Sequence, residues 1–292
     1  MNKDTRHTRI APSPTGYMHL GTARTAYFNW LASRSTDGTF VLRIDDTDAD
    51  RSDNKYMDSI LDSLAWLGLD FDSTFRQSDR QDVYRAYLDK LIADKKVVKR
   101  DGAWFVAPDM LGLIPDTWDD KLIRKPVKVS DHDKGIIADL VLWKSDDTPT
   151  YHFASCVDDI DTGINTIIRG DDHKMNTAKH ILIYRLIGAD LPDFFHVGLL
   201  TDMNGKKYSK RNGAMSVVDL KDMGFGPDAV LNFMLRMGWG PRVDDKSAKT
   251  IDKARALDLF WDGGKMRPAP SKVNMDTLDW FNRKYGYGPV KA

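Results

Sequence analysis

The sequence predicts an α/β fold: a parallel sheet flanked by helices, interrupted by a short β-rich insertion and followed by an all-helical C-terminal region. Three observations predict it. Between residues 8 and 95, short apolar runs alternate with runs of helical period, the order that builds right-handed βαβ units. From 97 to 149 the runs become short and alternating, broken by Pro, Gly and Asp. Beyond 215 the helical period returns and holds to about 285.

Residues 8–12 form a strand candidate that stops at Pro12. Ala23, Ala26, Tyr27, Trp30 and Leu31 recur at three- and four-residue spacing, which predicts a helix over 21–34. Asp37-Gly38 is a turn, and "TFVLRI" (39–44) reads as a buried strand. Asp53 is placed to cap a helix striped by Met57, Ile60, Leu61 and Leu64, with Gly68 just past its end. A further helix over roughly 79–95 carries Tyr84, Tyr87, Leu88 and Leu91 on one face.

The insertion contains "VVKR", "AWFV", "VKVS" and "ADLVLW". A strand at 165–169 and a helix at 173–187, with Ala178, Ile181, Leu182 and Leu186 inward, resume the frame. A helix at 227–237 opens on Pro227 and carries Val230, Phe233, Met234 and Met237. The expected division is 1–96 and 150–214 as two halves of the α/β frame, 97–149 as the insertion and 215–292 as a helical domain.

Composition narrows the function classes. The 43 basic and 43 acidic residues cancel, so any nucleic acid is met by a local patch rather than by overall charge. The single cysteine, Cys156, cannot form an internal disulfide or build a zinc site that needs several thiolates. The start "MNKDTRHTR" lacks an apolar signal core, and no run reaches membrane-spanning length. A soluble cytoplasmic monomer with no membrane contact is expected.

Four stretches combine residues that carry chemistry. "RIAPSPTGYMHLGTA" (9–23) places a glycine-containing turn and His19 between a strand and a helix start, where unpaired N–H groups and the positive dipole end attract anions. "NGKKYSKRNG" (204–213) brings Lys206, Lys207, Lys210 and Arg211 into a glycine-flanked loop that can close on a polyphosphate. "RIDDTDADR" (43–51) puts carboxylates at the C-terminal end of a parallel strand, the crevice side of an open sheet. They suit an ammonium group, a ribose hydroxyl or magnesium, and Asp50 and Asp53 also suit helix caps. "PTYHFASCVDDIDTGINTIIRGDDH" (149–173) offers Tyr151 and, at a strand end, Arg169, which can grip a carboxylate bidentately.

These stretches, with "PTYHFA…VDD", "IIRGDDH…NTAKHILIYRLIG" and "KKYSKRNGA", resemble in type and order the motifs of the glutamyl-tRNA synthetase family. "HLGT" is similar to its version of the class I HIGH signature and "KYSKR" to its KMSKS signature. "DMGFGPDAVLNFMLRMGWGP" (222–241) and "VNMDTLDWFNRKY" (273–285) resemble its helical stem-contact region, so the likeness runs from about residue 8 to 285. The resemblance implies a Rossmann-type catalytic domain, a shortened acceptor-binding insertion and a helical stem-contact domain. It also implies ATP-dependent activation of glutamate to an adenylate and transfer to a tRNA 3′ end.

By matching positions, His19, Lys207 and Lys210 would be catalytic. Pro12, Gly21, Thr22 and Ser209 would join those three in binding ATP. Arg9, Ala11, Ser13, Asp45, Tyr151, Ser155 and Arg169 would line the amino acid pocket. Magnesium would come with ATP, and no zinc is expected. The family usually has Glu at Asp45 and Asn at Ser155, so both side chains here are shorter. It also continues into an anticodon-binding domain where this sequence stops at Ala292, the pattern of a truncated form. A glutamyl-queuosine-tRNA-synthetase-like paralogue with a non-standard acceptor is the alternative ligase. A retired synthetase fold that binds RNA or protein is the alternative of another class.

Overall fold

The computed structural model describes residues 5–47, 53–208, 214–241 and 250–290. In chain order the elements begin β1 (Thr8–Ile10), α1 (Leu20–Arg34), β2 (Phe40–Ile44), α2 (Asn54–Trp66), β3 (Ser73–Arg76), α3 (Gln81–Ala93), β4 (Val97–Arg100) and β5 (Ala103–Val106). Next come β6 (Thr117–Trp118), β7 (Val127–Lys128), α4 (Asp131–Ala138), β8 (Val141–Trp143), α5 (Tyr151–Asp161), β9 (Thr166–Gly170), α6 (Thr177–Ile187), β10 (Asp193–Val197) and β11 (Leu200–Thr201). The last are α7 (Val217–Asp222), α8 (Pro227–Arg236), β12 (Trp239–Pro241), α9 (Lys253–Leu259), β13 (Gly264–Met266), β14 (Ser271–Lys272) and α10 (Met275–Lys284). The chain divides into two compact units: one of residues 1–75, 168–171 and 196–292, the other of 76–167 and 172–195.

The first unit is built on β1–α1–β2. The two strands are parallel, with Thr8 opposite Phe40, Arg9 opposite Val41 and Ile10 opposite Leu42, and β3 lies on the other side of β2. This is the expected strand–helix–strand order. α1 is buried nearly all round, from Leu20 and Ala23 through Arg24, Tyr27, Phe28, Asn29 and Trp30 to Ser33, as befits a helix in the middle of a core. The stripe legible in the sequence is therefore only part of its buried surface.

Its polar side chains are satisfied by distant backbone. Arg24 donates from Nη1 to the Met237 carbonyl at 2.9 Å and from Nη2 to that of Gly198 at 2.7 Å. Asn29 donates to the carbonyls of Thr25 and Ile168 at 2.8 and 2.9 Å, as buried polar groups require. Asp53 caps α2 through Lys55 N–H, and Pro227 opens α8, both as expected. The stretch 215–285 is not helical throughout, however. Three short strands interrupt it, β12 paired antiparallel to β13 and β14 parallel to β11.

The second unit holds the expected β-rich stretch, with β4, β5 and β8 in one antiparallel sheet and β6 with β7 in another. α4 is an addition to that reading. The helix α5 is a second addition, capped by Thr150, whose hydroxyl accepts from Phe153 N–H. A 3₁₀ turn over Asp171–Asn176 shortens the expected 173–187 helix to α6.

The unit's polar anchor is Asp158 on α5, fully buried. Its carboxylate accepts from Gln77 Nε2 at 2.8 Å, Arg80 Nε at 2.8 Å and Tyr84 Oη at 3.0 Å. Asp158→Ala should therefore lower the stability of this unit by about 3 kcal/mol or more, because it strands the buried donors of Gln77 and Tyr84 and removes one acceptor from the part-exposed Arg80. Urea unfolding followed by circular dichroism checks this, with Asp158→Asn, which keeps an acceptor, expected to lose less.

Candidate functional site

β1 ends at Ile10, and the chain then makes two tethered bends. Asp45 N–H donates to the Pro12 carbonyl at 3.1 Å, and Asp53 N–H donates to that of Pro14 at 3.1 Å. A proline lacks its own N–H and fixes φ, so each serves here as a rigid acceptor. Ala11 is half-buried and Ser13 exposed beside them.

His19 is the N-cap of α1. Its Nδ1 accepts from Thr22 N–H at 3.2 Å, and its Nε2 lies 3.0 Å from Thr22 Oγ1. An accepting Nδ1 puts the ring proton on Nε2 in a neutral imidazole. Gly21 leaves room for this arrangement, since a Cβ there would lie 3.1 Å from His19 Nδ1 and 3.2 Å from Cε1 and would press the ring outward by a few tenths of an ångström. The first turn of α1 contains no acidic residue, so none of its own side chains opposes an anion at its positive end.

Backbone on both sides of residues 209–213 is tied down in the same unit. On one side Asp202 Oδ1 accepts from Asn204 and Lys206 N–H at 2.9 and 2.8 Å, and Lys207 bridges Thr201. On the other side Val217 N–H donates to the Met18 carbonyl at 2.9 Å, and Leu20 N–H to that of Met215 at 3.4 Å. These bonds frame an antiparallel bridge between His19 and Ser216. Tyr208 Oη accepts from Met215 N–H at 3.2 Å, joining the two sides. Lys207 is exposed. Ser209 and Lys210, both expected at the nucleotide, lie outside the described residues, as do Asp48 and Asp50.

Three buried strand arginines, Arg9, Arg43 and Arg169, belong to the first unit, together with the buried carboxylates Asp45 and Asp46. Arg9 sits opposite Val41, and Arg43 follows two residues later, so the two arginines share one face of the sheet. Arg43 holds Asp45 with two hydrogen bonds, Nε to Oδ1 at 2.6 Å and Nη2 to Oδ2 at 3.2 Å. Arg169 on β9 donates from Nε to His196 Nε2 at 3.1 Å. In the second unit, Tyr151 and Ser155 are four residues apart on α5 and so face the same way. Tyr151 packs edge-on to His152, with ring centroids 5.3 Å apart.

Residues 6–102 and 114–280 match the family described as tRNA synthetases class I (E and Q), catalytic domain. The chain belongs to this family. It is 38% identical to glutamate–tRNA ligase 1 of Helicobacter hepaticus over an alignment 311 positions long, covering 95% of this chain and 66% of that protein. It is 37% identical to the glutamate–tRNA ligase of Thermodesulfovibrio yellowstonii, covering 95% of this chain and 65% of that protein. The chain thus spans slightly less than two thirds of the length of these relatives. The crystal structure of a glutamate tRNA ligase from Elizabethkingia meningosepticum in complex with its amino acid superposes with a TM-score of 0.79 at 25% identity. That superposition covers 97% of this chain and 70% of that one.

In this class I synthetase fold, sequence reasoning missed two residues that hold the expected ones. Arg43 carried a signal, because it stands two residues before Asp45 and strand period places both on one side. His196 carried none locally; it is 27 residues from Arg169.

The Arg43–Asp45 pair is almost fully buried, with side-chain exposures of 2% and 6%. Removing one partner of such a pair leaves an uncompensated charge. Asp45→Ala should cost about 3–5 kcal/mol, and adding Arg43→Met to it should restore part of that loss. Chemical denaturation of the two variants beside the parent decides the matter.

Proposed function

We propose that the chain activates glutamate with ATP and passes it to a tRNA 3′ end. An oxygen of the α-carboxylate attacks the α-phosphorus of ATP, the bond to the bridging oxygen breaks, and pyrophosphate leaves with that electron pair. A terminal ribose hydroxyl then attacks the carbonyl carbon of the adenylate, its proton is lost, and AMP leaves. Such chemistry needs positioning and charge stabilisation rather than a protein nucleophile.

The observation that carries this reading is the His19–Ser216 bridge. It brings the start of α1 and the backbone flanking "KKYSKRNGA" together within one unit. In this reading the α1 terminus meets phosphoryl oxygens, and the His19 Nε2–H exchanges its contact with Thr22 Oγ1 for one of them. Lys207, with Ser209 and Lys210 from the same motif, draws off negative charge as pyrophosphate leaves. Pro12, Gly21 and Thr22 shape the nucleotide's approach. Magnesium accompanies the nucleotide. Among the described residues no group of three or more His, Cys, Asp or Glu is placed to hold a metal.

Arg9 and Arg169 supply the positive charge that a dicarboxylate needs, with Ala11, Ser13, Tyr151 and Ser155 as further lining. In this reading Asp45, held in place by Arg43, receives the ammonium group. Its anchoring sets how far it reaches, which matters because it is one methylene shorter than Glu. The retained basic loop and histidine favour an active enzyme over a retired fold; the monomeric state belongs to the same proposal. No helix among the described residues is long and apolar enough to cross a membrane.

Amino-acid-dependent pyrophosphate exchange, run with each of the twenty amino acids, tests the reading. Exchange with glutamate supports it; exchange with none, or with another amino acid only, overturns it. Within the same assay, His19→Asn separates chemistry from folding, because Asn is a favoured N-cap. The variant should keep its melting temperature and lose about a hundredfold or more in exchange rate. An unchanged rate removes His19 from the mechanism.

A further inference from the structure

We infer that Tyr208 is a positioning residue that sets the direction of Lys207; this rests on the reading of Lys207 as a group that draws off charge as pyrophosphate leaves. The two residues end the return arm of a short hairpin that starts at β11. Asp202 N–H donates to the Lys206 carbonyl at 2.8 Å, Lys207 forms an antiparallel bridge with Thr201, and Tyr208 N–H donates to the Leu200 carbonyl at 2.8 Å. β11 is itself paired with β14. The arm is thus held in extended form as far as Tyr208. Successive side chains on an extended arm point to opposite sides, and Tyr208 is half-buried where Lys207 is exposed. Fixing the tyrosine inward therefore fixes the side to which the lysine turns.

The contact that fixes it is well placed. Tyr208 Oη accepts from Met215 N–H at 3.2 Å. The carbonyl of Met215 in turn accepts from Leu20 N–H at 3.4 Å, at the start of α1. One residue thus joins the lysine arm, through its N–H, to the histidine-capped helix, through its carbonyl. A phenol suits this task, because its ring has only two torsions to restrain and its oxygen can accept. Methionine, which the KMSKS signature has at this position, is more flexible and offers only a weakly accepting sulfur. The hydroxyl, rather than the bulk of the side chain, is what ties the arm to Met215.

Two measurements on the full chain test this, centred on Tyr208→Phe, which keeps the ring and deletes the acceptor. In amide hydrogen exchange followed by NMR, which needs no substrate, the Met215 N–H should exchange about three- to tenfold faster in the variant, as for loss of one neutral hydrogen bond. The Val217 N–H, bonded to Met18, should keep its rate. In pyrophosphate exchange, Tyr208→Phe should lower kcat by about the same three- to tenfold and leave the KM for glutamate unchanged. Lys207→Ala should lower kcat further to a measurable residual rate. On that background Tyr208→Phe should cost nothing more, since a residue that acts through Lys207 then has nothing left to aim.

An unchanged Met215 exchange rate overturns the assignment, and so does an unchanged kcat in Tyr208→Phe. Losses that multiply in the double variant, or a raised KM for glutamate, mark a merely structural role and overturn it as well. Absence of glutamate exchange in the parent chain overturns the proposed activity instead, and the Met215 exchange rate then decides the Tyr208 contact by itself.

Discussion

Three residues before and at the start of α1 are hydrogen-bonded to three residues before and at the start of α7. The Met18 carbonyl accepts from Val217, the Met215 carbonyl accepts from Leu20, and His19 and Ser216 face each other between them. Much of the first unit's site follows from this short pairing. It holds the histidine cap against the segment that leads out of the basic loop, and Tyr208 ties the other side of that loop to Met215. Ser216 in turn begins α7 with a capping box, exchanging hydrogen bonds with Asp219. Two helix starts are thereby locked to one another by backbone rather than by side chains, so the arrangement does not depend on rotamer freedom.

Around this frame the fold handles buried positive charge in two ways. Arg43 is given a carboxylate and becomes a fixed, compensated pair that anchors the end of β2. Arg169 donates from Nε to the imidazole of His196. The first is an ion pair; the second is a hydrogen bond from a guanidinium to an imidazole. Burying a compensated pair yields little net stability but makes its disruption costly, which fixes Asp45 in place, as its proposed contact with an ammonium group would require. The shorter Asp at this position is thus tied to a specific partner rather than left to find its own geometry.

The elements most legible in the sequence were those whose local chemistry matches their final role. Pro12 stops β1, Asp53 caps α2, Pro227 opens α8, and the apolar period of α1 marks its inner face. What stayed hidden depended on partners far along the chain. Arg24 and Asn29 look like surface residues of α1, yet both are buried because carbonyls of Met237, Gly198 and Ile168 accept from them. β12, β13 and β14 are two or three residues long, too short for any period to appear. α5 carried a usable signal in Thr150 three residues before Phe153, but its β-prone Tyr, Phe and Val residues obscured it. His196 sits in the apolar run "FFHV", where nothing nearby announces that its partner is an arginine on another strand.

The most direct test of this account is Val217→Pro. Val217 is the first residue of α7, and Ser216 before it has φ −81° and ψ 167°. Proline is favoured at that helical position and accepts such a preceding residue. The substitution should therefore leave α7 intact while deleting the N–H that donates to Met18. If the pairing of 18–20 with 215–217 aligns the two loops, glutamate-dependent pyrophosphate exchange should fall about tenfold or more with the melting temperature nearly unchanged. Full exchange activity in this variant would contradict the account.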